Sequence, residues 1–193
     1  TGSQTHARDL HLAATGVLRT DTARVQAQRI NLTAKDWLNL GGELRATDAL
    51  CSRTQSLTNQ GLIDATRTHL VTETLSNQSG GAIYGDELAI AATTLMNAPT
   101  TTGGARYRHR PASEGGAPSP APVIAARSRL DLGVHTLTNR NGAQILSLGD
   151  LAIGGALDEN QRASGKASAV HNESARLEAL GHMDIRAAEL NNK

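Results

Sequence analysis

The chain of 193 residues carries 19 Lys and Arg against 18 Asp and Glu, and its only aromatic residues are Trp37, Tyr84 and Tyr107. This balance gives no overall electrostatic case for nucleic acid. No apolar run approaches the ~20 residues of a membrane-spanning helix, no secretory apolar region opens the chain, and the single Cys51 cannot form an internal disulfide. A core without Phe must be filled by Leu, Ile, Val and Ala, which disfavours most compact enzyme folds and favours a narrow, regular interior.

The predicted elements are short strands that recur. In chain order the apolar-x-apolar anchors are Leu10-His11-Leu12, Ile30-Asn31-Leu32, Leu50-Cys51-Ser52, Leu70-Val71-Thr72, Leu88-Ala89-Ile90, Leu130-Asp131-Leu132, Leu151-Ala152-Ile153 and Met183-Asp184-Ile185. Their first residues lie 20, 20, 20, 18, 42, 21 and 32 positions apart. The two long gaps read as one repeat plus an insertion. A second apolar position follows at Leu57, Leu75, Leu95, Leu137 and Leu190. Asn stands two residues later at Asn59, Asn77, Asn97 and Asn139, with Leu38-Asn39 and Leu190-Asn191 as offset variants. A Gly-containing turn then leads to a third apolar position at Leu44, Ile63, Ile83 and Ile145.

The seven-residue step from anchor to second position suits a helix, but it never continues for the three or four heptads a coiled coil requires. Period-two patches punctuated by Gly and Asn read as strands. A β-sandwich would explain the alternation, but not the return of one residue type at one phase. A repeat of about 20 residues made of short strands and tight turns predicts a solenoid. Equivalent strands would pair in parallel, about 4.8 Å apart. Alternate residues would point inward, and the recurring Asn would form a ladder of side-chain amides along the axis. Eight coils would make a rod roughly 38 Å long.

Two stretches depart from the repeat. Residues 98–123 hold all five prolines, Pro99, Pro111, Pro118, Pro120 and Pro122, and read as an excursion from one corner. Arg106-Tyr107-Arg108-His109-Arg110 inside it is a candidate contact loop: the three guanidinium groups suit a sulfated glycan, a phosphate or an acidic surface. A solvated loop without a ligand is the plainer reading. Residues 158–171 read as a second excursion, an extruded hairpin or loop with Ala163-Ser164-Gly165-Lys166 at its tip.

The stretches Gly80-Gly81-Ala82-Ile83-Tyr84-Gly85-Asp86-Glu87-Leu88-Ala89-Ile90-Ala91-Ala92 and Leu148-Gly149-Asp150-Leu151-Ala152-Ile153-Gly154-Gly155-Ala156-Leu157-Asp158 share one rhythm, echoed at Asn172–Ile185. This rhythm resembles the repeats of filamentous haemagglutinins and contact-dependent growth-inhibition exoproteins of two-partner secretion. The resemblance covers nearly the whole chain apart from the first excursion. It implies a right-handed parallel β-helix at the surface of a Gram-negative bacterium, serving as a stalk, adhesin or toxin-presenting filament. Residues 1–193 would then be one β-helix fragment of a longer secreted exoprotein. Its partners would be flanking coils of the same polypeptide and a target-cell outer-membrane receptor or surface glycan. A dedicated receptor- or glycan-binding segment is the first alternative.

A carbohydrate-active β-helix enzyme is the second, and it needs clustered carboxylates. Asp86 and Asp150 share a phase but are expected about 10 Å apart, two coil steps. Asp131 and Asp184 are expected to face outward into solvent. None of the seven histidines forms a zinc motif. Gly165-Lys166-Ala167 lacks the residues of a phosphate loop. Cys51 is expected to be a partly buried small side chain. The sequence therefore predicts no enzyme, no cofactor and no metal site. It also predicts concentration-dependent self-association through strand edges exposed at the two ends.

Overall fold

The computed structural model of the protein describes residues 2–100 and 120–193. Every regular element among them is a β-strand. Strands of successive coils pair in parallel, giving a β-solenoid of eight coils. Coil 1 is built from β1 (Gln4–Ala13) and β2 (Val17–Arg19), coil 2 from β3 (Arg24–Thr33) and β4 (Asp36–Asn39), and coil 3 from β5 (Glu43–Arg53) and β6 (Ser56–Asn59). Coils 4, 5 and 6 are single long strands bent at corners: β7 (Leu62–Asn77), β8 (Ala82–Asn97) and β9 (Val123–Arg140). Coil 7 runs through β10 (Gln144–Ser147), β11 (Asp150–Gly154), a small hairpin of β12 (Ala156–Leu157) and β13 (Ala163–Ser164), and β14 (Ala167–Glu173). Coil 8 is β15 (Arg176–Ala179), β16 (Met183–Ile185) and β17 (Ala187–Asn192).

Each coil presents three faces, and period-two alternation decides what each buries. In β3 the buried residues are Val25, Ala27, Ile30 and Leu32. The alternation skips one residue between Ala27 and Ile30, where the chain turns a corner. On the first face Val25, Leu44, Ile63, Ile83, Ile124 and Ile145 stack directly on one another. On the third face Trp37, Leu57, Leu75, Leu95, Leu137 and Val170 do the same. Leu, Ile, Val and Ala thus fill a thin core in layers.

The Asn ladder is longer than the sequence reading gave. It runs Asn39, Asn59, Asn77, Asn97, Asn139, Asn172 and Asn192, with every Nδ2 donating to the next Oδ1 at 2.7–2.9 Å. The other amide hydrogen is used at the corner: Asn139 donates to the Arg176 carbonyl at 2.9 Å, and Asn59 to the Gly61 carbonyl at 3.1 Å. The ladder also dictates a glycine. A Cβ on Gly81 would lie 2.3 Å from Asn77 Oδ1, so the corner can pass the amide only without a side chain.

Register corrects three sequence assignments. Leu50 pairs with Thr68, not Leu70, because coil 3 carries an extra residue near Asp48 and the next corner is one residue shorter. Asn39 is no offset variant: it pairs with Asn59, and Trp37 takes the place of Leu57 one coil on. At the far end the ladder member is Asn192 rather than Asn191, which pairs with His171.

Trp37 is fully buried, and its indole N–H donates to the Thr20 hydroxyl at 3.0 Å. Thr20 stands where later coils have Asn and donates to Asn39 Oδ1 at 2.9 Å, closing the ladder at coil 1.

Charges outside the core follow the same register. Arg29 meets Asp9 at 2.6 Å, Arg67 meets Asp48 at 2.6 Å, and Arg127 meets Asp86 at 2.8 Å. The Arg29 guanidinium beside Asp9 holds that carboxyl below its ordinary range. These pairs join neighbouring coils at solvent-exposed positions, where water and salt screen them and leave little net stabilisation.

Candidate functional site

The sequence-predicted contact loop Arg106, Tyr107, Arg108, His109 and Arg110 lies outside the described residues. The two legs of that excursion are described, and they leave from one corner. The Ala98 N–H donates to the Asn77 carbonyl and the Thr100 N–H to Ser79 Oγ. On return the Gly80 N–H donates to the Pro120 carbonyl, and the Val123 N–H to the Gly81 carbonyl. The ladder resumes in register, Leu88 on Leu130 and Leu95 on Leu137.

The second excursion is a hairpin, but it folds back onto the outer surface instead of standing clear. Its strands are Ala156–Leu157 and Ala163–Ser164. Asp158 Oδ1 shapes the turn by accepting from the Asn160 N–H at 2.9 Å and the Arg162 N–H at 2.8 Å. Ala167–Glu173 already belongs to the ladder, so the hairpin is narrower than residues 158–171. Close approach requires glycine beneath it. A Cβ on Gly133 would lie 2.3 Å from the Ala156 carbonyl carbon, and one on Gly154 would lie 2.5 Å from the Ser164 carbonyl oxygen.

The hairpin covers Asp131, which the sequence reading had placed in solvent. Asp131 does point out of the coil, but it is 3% exposed. Its carboxylate accepts from Arg129 Nε at 2.7 Å and from the Ala163 N–H at 2.9 Å, with the Arg162 guanidinium at 3.4 Å. Arg129 also reaches Asp150 at 3.4 Å, and the Asp131 hydrogen bond raises its pKa above the ordinary guanidinium value. Asp184 is exposed, as expected, and pairs with Arg186. Asp86 and Asp150 do not share a position. Asp150 pairs in register with Arg129, whose other neighbour is Glu87, while Asp86 sits at the corner against Arg127. The acidic residues are thus held apart by arginines rather than gathered.

Beside the hairpin lies a groove of about 540 Å³, lined on one wall by His69 and His135 and on the other by Asp158 and Glu159. Burial lowers the pKa of His69, and nearby Arg53 lowers it further, so its imidazole favours the neutral form. Cys51 pairs in register with His69. The thiol is exposed, contrary to the partly buried position expected for it, because position 51 faces outward between the inward Leu50 and Ser52. Partial desolvation raises its pKa, opposed by Arg67. An un-ionised thiol is a poor nucleophile. The same corner continues across coils 1 to 3 as a second groove of about 590 Å³, edged by Lys35 and Arg53.

Among the described residues no group of three or more His, Cys, Asp or Glu is placed to hold a metal ion. No helix among the described residues is long and apolar enough to cross a membrane. The hairpin cluster was missed in the sequence, yet it left a signal. Gly133 and Gly154 interrupt a column that Val71 and Ala91 fill in other coils, and an isolated Gly in a strand marks a close backbone approach.

No protein family, no curated protein and no solved structure matches the chain.

Proposed function

We propose that the chain is a structural and adhesive segment of a large secreted bacterial surface exoprotein, resembling a filamentous haemagglutinin or a contact-dependent inhibition filament. The observation that carries this reading is the seven-Asn ladder, which runs from coil 2 to coil 8 across a 42-residue step without loss of register. Such a core suits a spacer that holds its outer faces and excursions at fixed positions along a rod. The repeat rhythm of the sequence supports the bacterial surface as its place.

The test is surface labelling of intact producing cells. The segment is expected to react with a membrane-impermeant label and with antibody before lysis. Labelling only after lysis would overturn the reading.

A dedicated receptor- or glycan-binding segment is the second reading, favoured by the groove beside the hairpin and the arginine-rich excursion. It predicts that Arg106→Ala, Arg108→Ala and Arg110→Ala together abolish retention on heparin resin at low salt. Equal retention of mutant and parent would remove that loop from consideration.

A further inference from the structure

The outward side of the first face changes character along the rod. In each coil its strand turns two residues inward and two outward, and the outward ones form two columns. Through coils 4 to 7 one column holds Leu62, Ala82 and Val123, and the other holds Tyr84, Ala125 and Leu146, all partly exposed. Gln144 and Asp64 complete the block. The other faces of these coils carry nothing like it: Arg67, Glu87 and Arg129 line up on the second, and Thr74, Thr94 and Thr136 on the third. The block points sideways from the rod, so further coils at either end would leave it uncovered. Clustered apolar side chains on a sheet face mark a packing surface.

We propose that a second copy of this chain packs on the first face, sheet against sheet, about a two-fold axis parallel to the rod. Such pairing does not depend on where the chain resides or what it adheres to. Sheets packed in this way stand about 10 Å apart. Each coil then faces the same coil of the second copy with its strand reversed, so the two outward columns meet each other. Tyr84 lies over Ala82 of the second copy, and Ala82 under its Tyr84, so each large ring enters the space above a small side chain. Val123 meets Ala125, and Leu146 covers the stem of Gln144. Leu62 meets Asp64, whose carboxylate is already held by Arg45 at 3.7 Å and Arg127 at 3.5 Å.

The rims show why this face suits its own copy. Coil 3 places Glu43 in one column and Arg45 in the other, and coil 8 places Arg176 and Glu178 there. A two-fold that exchanges the columns sets Glu43 on Arg45 and Arg176 on Glu178 of the second copy. Arg24 meets Gln26, and Gln4 meets His6, so no directly facing position sets like charge on like charge. The first excursion selects the axis. Its legs, at Thr100 and Pro120, lie at the corner that leads into the first column. A two-fold parallel to the rod puts the two joints on opposite edges of the interface, whereas one along the strands would put both on the same edge. The strip is two residues wide over six coils of about 4.8 Å each. That is short of the roughly 1,200–2,000 Å² of a standard interface, so the dimer forms only as concentration rises.

The test uses the full chain with Cys51→Ser to remove the exposed thiol. Sedimentation is expected to show a monomer–dimer equilibrium that moves toward dimer with concentration. Ala125→Glu is expected to weaken association about tenfold or more, because it buries an unpaired carboxylate in the interface. The thermal midpoint should not move, since position 125 faces outward. Thr138→Glu, on the third face, should leave association unchanged. Equal loss in both variants, or loss in neither, would overturn the proposal. Orientation is read by mixing Glu43→Cys with Arg45→Cys or with Arg176→Cys, one partner carrying a mass tag, and adding a short bis-maleimide. Linked heterodimers of Glu43→Cys with Arg45→Cys are the expected product. A greater yield with Arg176→Cys, five coils away, would mean reversed rods and would overturn the arrangement. Replacing residues 101–119 by a glycine linker should leave the dimer intact, and its loss would assign the contact to the excursion instead. A chain that stays monomeric at every attainable concentration would refute the pairing.

Discussion

The indole N–H of Trp37 and the hydroxyl of Thr20 are hydrogen-bonded at 3.0 Å across one coil step. The two residues are exceptions to their columns, and each exception requires the other. Trp37 stands where later coils place Leu, so a donor enters the apolar stack. Thr20 stands where later coils place Asn, so a small hydroxyl is available to accept from it. Thr20→Val is expected to strand both the indole N–H and Asn39 Oδ1, at a cost of about 1–3 kcal/mol. Thr20→Asn together with Trp37→Leu restores the common pattern and should cost less than the sum of the single changes. Urea unfolding of the parent, Thr20→Asn, Trp37→Leu and the double variant measures that coupling.

Asn97 sits in the middle of the ladder, between Asn77 and Asn139, and is fully buried. Asn97→Leu would leave the Asn77 amide, the Asn139 carbonyl oxygen and the Gln144 carbonyl each without one partner. A loss of at least about 3 kcal/mol is expected, since three groups each lose a partner and a buried unsatisfied group costs about 1–3 kcal/mol. Asn192→Leu, at the exposed end, should cost under about 1 kcal/mol. Chemical denaturation of both variants checks the gradient from middle to end.

Ser52 is the weak rung of the second face. It is buried in a column with Leu32 and Leu70, and its hydroxyl has no hydrogen-bond partner among the described residues. Ser52→Val should stabilise the fold by about 1 kcal/mol by filling space and removing an unpaired hydroxyl. Thr68→Val one coil on should not, because the Thr68 hydroxyl donates to the Tyr84 carbonyl at 2.8 Å. Thermal midpoints of the two variants moving in opposite directions is the expected result.

Gly133 and Asp131 hold the hairpin from below. Gly133→Val is expected to lift residues 156–164 off the outer face, because its Cβ would meet the Ala156 backbone. Asp131→Ala should release the same segment by removing the acceptor for the Ala163 N–H and Arg162. Arg129 keeps Asp150 as a partner, so the cost is held to about 2 kcal/mol, below that of a fully orphaned buried ion. Hydrogen exchange at Asp158 to Ser164 should accelerate in both variants, while exchange in β7 and β8 stays slow.

His69 predicts the direction of one pH effect. Its folded pKa is lowered, first by burial and then by Arg53, so the unfolded chain binds a proton that the folded chain refuses. Stability contributed by the neutral imidazole is fully present above the unfolded value of about 6.5. It declines as pH falls from there toward the folded pKa. His69→Gln should flatten the stability profile in that window, measured by denaturant midpoints between pH 7.5 and pH 5.

The solenoid was legible because period two and a coil of about 20 residues survive small errors. The assignment of Leu70 to the phase of Leu50 was wrong by two residues, yet Leu70 is still inward, because a two-residue slip preserves the facing of a strand. Trp37 hid the phase of Asn39, since a residue unlike Leu occupied the Leu position. Asn172 was missed because Val170 and the hairpin before it broke the visible rhythm. Asp131 and Cys51 mark where sequence reasoning reached its limit. Alternation places both outward correctly, but exposure depends on what lies over the strand. Asp131 is buried only because a hairpin 25 or more residues further along returns to cover it. Cys51 has no such cover.

The joint at Ala98 and Val123 carries a consequence for how this molecule can vary. Departing and returning chain are pinned to the same few backbone groups of Asn77 to Gly81, and the coils above and below pair as though nothing intervened. The joint therefore behaves as a socket: what is plugged into it can change in length and chemistry while the rod keeps its pitch. Exchange of that insert between proteins would alter what the surface meets without asking the core to refold.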